Sequence, residues 1–141
     1  MSVTTKKAIW STLSGDAELS SLVGRDSGGN PAVFNANFNR ANPAVFPCIT
    51  FREADGSAYG GIREETVDAE YFNIEIWAKT DSALTVPRIA EQIDTLLHNK
   101  ALSTSEGKIY DCARVAQIPD QYDDKLKLHF GLYRYKLVAS R

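Results

Sequence analysis

The chain has 141 residues, 43% hydrophobic and 24% charged, with a formal net charge of −2. That length fits one domain, residues 1–141, which can bury roughly two-thirds of its unfolded surface without disulfide or metal staples. A near-neutral charge with no basic run among the aromatics excludes an electrostatic nucleic-acid binder, and no apolar run approaches the ~20 residues of a membrane span.

Val3–Leu13 reads as a helix: Ile9, Trp10 and Leu13 share a face, Thr4 or Thr5 caps its start, and Gly15 ends it. Trp10 is expected to face the core and pin this helix to a sheet. Asp16 opens a second short helix with Leu19, Leu22 and Val23 at i, i+3 and i+4, and Gly24 closes it. Ser27–Pro47 is rich in Gly, Asn and Pro and reads as loop, holding two copies of PAVF. The first copy, Pro31–Phe34, reads as a short extended segment and the second as the lead into a strand. Pro47–Ala54 is that strand, with Ile49 and Phe51 inward.

Asp55–Gly61 is a turn or loop tip, and Ile62–Ala69 is charged before merging with the clearest strand of the chain. Glu65–Lys79 alternates, with Phe72, Ile74 and Ile76 on one face and Tyr71, Asn73, Glu75 and Trp77 on the other. These two strands form an antiparallel hairpin with a long connection. Asp81 or Ser82 caps the main helix, Pro87 sits in its first turn, and Val86, Ile89, Ile93, Leu96 and Leu97 form its core stripe around Ala90. Asn99 and the polar run Ser103–Gly107 end it. Lys108–Ile118 is a further strand, PDQYDDK a polar turn, and Lys125–Arg141 the last strand. In that strand the apolar phase moves from Leu126, Leu128, Phe130 and Leu132 to Tyr133, Tyr135 and Leu137. This predicts either a bulge or a strand apolar on both sides.

The element order is α-α-β-β-α-β-β, an α+β fold. It implies an approximately four-stranded, mainly antiparallel sheet with the main helix across one face and the N-terminal helices beside it. Tyr71, Trp77, Tyr133 and Tyr135 are candidates for the opposite face. Large aromatics there suit a subunit interface. Cover by the N-terminal helix or the Asn-rich loop is the alternative.

Reactive chemistry has little to build on. Cys48 and Cys112 are too few for a disulfide framework, both fall in strands, and buried reduced thiols are expected. The N-terminal MSVTTKKAIW lacks the apolar stretch of a secretory signal, so synthesis in a reducing cytosol is expected. His98 ends the main helix, His129 points away from Phe130, and no HxH, HxxxH or CxxC spacing supports a metal. The carboxylates of Arg63–Asp68 and Asp120–Asp124 fall on turns and strand shoulders, where charge is normally solvated. The glycine pairs lack the Lys-Ser/Thr of a phosphate loop. No catalytic set, cofactor or metal is expected.

Three stretches carry a likeness: LSGDAELSSLVGR (Leu13–Arg25), the pair PAVFPCITF and AEYFNIEIWAKTDSALTVPRIAEQIDTLL, and the C-terminal LKLHFGLYRYKLV. In these and in element order the chain resembles the tail terminator, or tail completion, proteins of long-tailed bacteriophages. Ser27–Arg40 departs by being longer and richer in Asn. The resemblance implies a structural, non-enzymatic virion protein of the head–tail junction, assembled in the bacterial cytoplasm. It implies a ring, usually of six copies, that stops tail-tube growth and docks to the head connector. Implied partners are the protein itself, the tail tube protein and the connector or neck protein, with DNA passing through the ring unread and no membrane contact. The connection Asp55–Glu64 is then a candidate for the ring's face or lumen. Arg52, Arg63, Glu64 and Glu65 are candidates for polar contacts between subunits, and Trp77, Tyr133 and Tyr135 for an aromatic interface. A neighbouring neck or minor capsid component, or a small-ligand binding module, are the alternatives.

Overall fold

The computed structural model describes residues 3–35, 45–54, 67–79, 84–104 and 109–140. Helices α1 (Val3–Ser14) and α2 (Ala17–Leu22) precede strands β1 (Val33–Phe34), β2 (Cys48–Glu53) and β3 (Val67–Ala78). Helix α3 (Thr85–Leu97) follows, then β4 (Lys100–Ser103), β5 (Ile109–Asp123) and β6 (Leu128–Ser140). The six strands form one sheet in the order β1-β2-β3-β6-β5-β4. All neighbours are antiparallel except β1 and β2. Helix α1 touches both β1 and β4, the two edge strands, so the sheet curls until its edges share one helix.

The α+β class is as expected, but the sheet has six strands rather than about four. β1 and β4 are two and four residues long, too short for alternation to show, and each is held by its neighbour. β5 also runs on through Pro119–Asp123, a stretch whose polarity reads as a turn. The turn itself is confined to residues 124–127, where Asp123 Oδ1 accepts from the N–H of Lys125 and of Leu126, both at 2.9 Å.

The helix starts follow local chemistry in one case and not the other. Asp16 caps α2 by accepting from Leu19 N at 2.8 Å, and its carboxylate also accepts from Gln92 Nε2 at 2.9 Å, which ties α2 to α3. Before α3 the capping position is Leu84, whose side chain cannot cap. The expected caps, Asp81 and Ser82, lie outside the described residues. Pro87 stands in the first turn, as expected.

The core lies between α3 and one face of the sheet. Val86, Ile89, Ala90, Ile93 and Leu97 pack on Phe72, Ile74 and Ile76 of β3, with Ile49 and Phe51 of β2 and Ile9 and Leu13 of α1 beside them. Each fully buried aliphatic of this kind contributes about 1.5–3 kcal/mol of transfer free energy. Trp10 departs from expectation. Its indole N–H donates to Val33 O at 3.3 Å and so does pin α1 to β1, but the ring is 43% exposed rather than buried.

Candidate functional site

Strand parity decides what each face of the sheet offers. Cys48 pairs with Trp77, Thr50 with Glu75 and Arg52 with Asn73, while Trp77 faces Phe130 on its other side. These residues form the face turned away from α3. Trp77 stacks on Phe130, with ring centroids 4.7 Å apart, and its indole N–H donates to Glu75 Oε2 at 3.2 Å. Glu75 Oε1 lies 3.6 Å from Arg52 Nε, and Arg134 Nε donates to Asn73 Oδ1 at 3.1 Å.

The face is covered at that end. Ala32, Cys48, Trp77 and Leu128 form a second small core, with Phe34, Val45, Phe46 and Phe130 packed against it, and Trp77 is only 8% exposed. The predicted exposed Trp is thus a buried one, because the segments around β1 and before β2 fold over it. Burial, aided by the Glu75 carboxylate, pushes the Cys48 thiol up to about 12, so it is protonated and unreactive.

Tyr133 and Tyr135 lie on the other face. Tyr133 pairs with Ile74 and Tyr135 with Phe72, both core residues, so the two tyrosines point toward α3 and not outward beside Trp77. The apolar phase change in β6 is therefore a strand apolar on both sides. The register shifts fall in its neighbour β5, between Arg114 and Ala116 and between Ile118 and Gln121. Tyr135 stacks on Phe72 at 5.6 Å and its hydroxyl donates to Asp94 Oδ1 at 3.2 Å. Arg114 Nε lies 3.7 Å from the same oxygen, and Arg114 N donates to His98 Nδ1 at 2.9 Å. Burial, then the Asp94 charge and hydrogen bond, raise the Tyr135 phenol well above its ordinary value. The Tyr133 hydroxyl donates to Pro119 O at 3.4 Å, and burial raises its phenol too. This chain of contacts locks the C-terminal end of α3 to β5 and β6.

Arg52 is half exposed at its side chain, and its ion pair with Glu75 is of the partly solvated kind that contributes little. Arg63, Glu64 and Glu65 lie outside the described residues. Among the described residues, no three His, Cys, Asp or Glu side chains gather to hold a metal. Cys112 is held protonated as Cys48 is, by burial and then the Asp94 charge. His129 tilts against the ring of Tyr122, on the side of β6 away from Phe130 as its alternation predicts.

Sequence reasoning passed over a different surface. β4 covers only Ile109–Cys112, so among the described residues β5 has no strand beside its outer edge beyond Cys112. Every residue from Val115 to Tyr122 is exposed, with Val115, Ile118 and Tyr122 each about half open to solvent. Three large apolar side chains interrupting a polar run are the signal that separates this stretch from a plain turn.

The model of a family described as "Tail completion protein gp17" matches residues 7–140. The chain belongs to that family. This tail completion protein is accordingly a structural protein of the phage virion tail. Its fold is similar to that of a chain in a solved virion of a native gene transfer agent particle, with a TM-score of 0.70 and 14% identity over 100% of both chains. A second solved protein has a TM-score of 0.64 and 11% identity, over 98% of this tail completion protein and 94% of its own length. At these identities the likeness concerns the fold. No curated protein sequence matches.

Proposed function

We propose that this protein caps the phage tail tube as a ring of copies, usually six, ends tube elongation and presents the surface to which the head connector docks. The family match over residues 7–140 carries the reading. A chain of this fold in a gene transfer agent virion supports a place in a particle. The subunit has the properties a cap needs. Its core and the α3–β5–β6 lock make it rigid, and among the described residues β5 has no strand beside its outer edge beyond Cys112.

A closed ring requires a head-to-tail contact between two different patches, repeated around an axis. One ring face then meets the last layer of tail tube protein and the other the connector or neck protein, and DNA passes through the lumen without being read. In this reading Arg52, Arg63, Glu64 and Glu65 make polar contacts between subunits. Trp77, Tyr133 and Tyr135 hold the two sheet faces rigid behind the contact surface. The experiment is light scattering with negative-stain imaging of the purified protein, alone and with tail tubes. A flat ring with a central hole, free or seated on tube tips, is the expected result. A strict monomer that also fails to decorate tube tips overturns the reading.

A further inference from the structure

β5 leaves its partner strand at a defined point, and a side chain takes over there. β4 pairs with β5 only from Ile109 to Cys112, and beside that end Asn99 N donates to Cys112 O at 2.7 Å. Arg114 is the next residue of β5 to turn its N–H toward the same edge. Where a further strand would accept it, this N–H donates to His98 Nδ1 at 2.9 Å. Directly beyond lies the register shift between Arg114 and Ala116, with Val115 as the extra residue, 49% exposed. A bulge interrupts the ladder, so its flanking bonds decide how firmly it is held.

Arg114 is gripped twice from the last turn of α3. His98 takes its N–H, while Asp94 Oδ1 lies 3.7 Å from its Nε and accepts from the Tyr135 hydroxyl. His98 closes α3, its own N donating to Asp94 O at 2.8 Å, and Asn99, with φ at 56°, turns the chain into β4.

A backbone N–H can only donate. Nδ1 therefore carries no proton, and the neutral ring holds its proton on Nε2. In the imidazolium both nitrogens carry protons, so two donors would face each other and the bond is lost. Histidine is the side chain whose ordinary charge change falls between pH 5 and 8. The other charged and titratable groups on the elements that meet it are Asp94 on α3, Lys100 on β4, Asp111, Cys112 and Arg114 on β5, and Tyr135 and Lys136 on β6. Carboxylates, lysines and arginines ordinarily change charge outside that window. Cys112 and Tyr135 are held protonated, by burial and then the Asp94 charge.

We propose that His98 is a pH-operated clamp on the edge of β5. Neutral, it stands in for a strand at Arg114. Protonated, it releases that N–H and loosens the Val115 bulge, leaving the Asp94–Arg114 contact as the remaining hold. The clamp is whole while the imidazole is neutral and is lost as falling pH charges it. It goes beyond the ring reading and does not depend on it.

The test is nuclear magnetic resonance of the 15N-labelled protein between pH 8 and pH 5. At the upper end the His98 ring should show a bare Nδ1 and a protonated Nε2. On acidification both nitrogens should carry protons, and the Arg114 amide resonance should move with the same midpoint. The protection of that amide against hydrogen exchange, corrected for the pH dependence of exchange itself, should fall about tenfold or more. Ile74, in central β3, should keep its protection. The chain has two histidines. His98→Asn keeps an acceptor oxygen near the Nδ1 position without a titrating group, so it should make the Arg114 amide insensitive to pH. His129→Asn should leave the response in place. A proton on Nδ1 at the upper pH, unchanged Arg114 protection, or a response that survives His98→Asn overturns the clamp. So does an equal loss at Ile74, which marks unfolding of the whole domain rather than release of one edge.

Discussion

Replacing Trp77 by Ala separates a buried aromatic from an exposed one within the same chain. Trp77 is 8% exposed, stacked on Phe130 at 4.7 Å and walled by Ala32, Cys48 and Leu128. Truncating a buried Trp removes its transfer free energy and leaves a cavity, about 3–5 kcal/mol in all. That is a large part of the ~5–15 kcal/mol by which a domain is stable. It corresponds to a fall in melting temperature of roughly 10–20 °C for a chain of this size. Trp10→Ala, by contrast, removes a ring 43% exposed and one indole hydrogen bond, about 1 kcal/mol. Thermal melts by circular dichroism, with sedimentation velocity on the same samples, compare the two. Trp77→Ala should melt much earlier, while Trp10→Ala should melt almost as the natural protein does. A Trp77→Ala melt within about 2 °C of the natural protein would refute the account of Trp77 as a second core.

Gly131→Val should destabilise by about 1–3 kcal/mol in chemical denaturation. A Cβ there would lie 2.8 Å from Tyr133 Cε2 and 3.1 Å from Val86 Cγ1, and moving Tyr133 breaks its bond to Pro119 O. An unchanged denaturation midpoint would show that the packing under α3 is slack. Alkaline pH should destabilise the fold through the two thiols. Cys48 and Cys112 are raised from 9.0 to about 12, so the folded state favours their protonated form. That stability is whole below pH 9 and is lost as pH rises from 9 toward 12, at about 1.4 kcal/mol per pH unit for each thiol. Urea midpoints measured across this range should fall steeply. They should fall about half as steeply in Cys48→Ala between pH 9 and 10, before the tyrosines join.

Much of the fold is legible in the chain. The β3 alternation, the α3 stripe and the Asp16 cap each arise from contacts within a few residues, and all three form as read. β1 lies within the segment Pro31–Phe34 that reads as extended, while β4 escapes notice because a strand of four residues carries no clear period; only β2 and β5 beside them make them strands. The assignment of Tyr133 and Tyr135 to the outer face fails for a related reason. In a central strand apolar on both sides, composition cannot say which face meets the helix. The register does so by setting Tyr133 beside Ile74 and Tyr135 beside Phe72.

Local periodicity and turn chemistry in the sequence suffice for an α+β scaffold with inert cysteines, and the order and character of the elements for its likeness to tail completion proteins. Which aromatics are hidden and which are offered is decided only by the tertiary structure. Trp77 is covered by segments distant in sequence, while Trp10 and the Val115–Tyr122 edge are left open because α1 sits at the rim and β4 stops at the level of Cys112. Burial is a property of long-range packing, so a Trp in a strand and a Trp in a helix can exchange the roles their neighbours in sequence suggest.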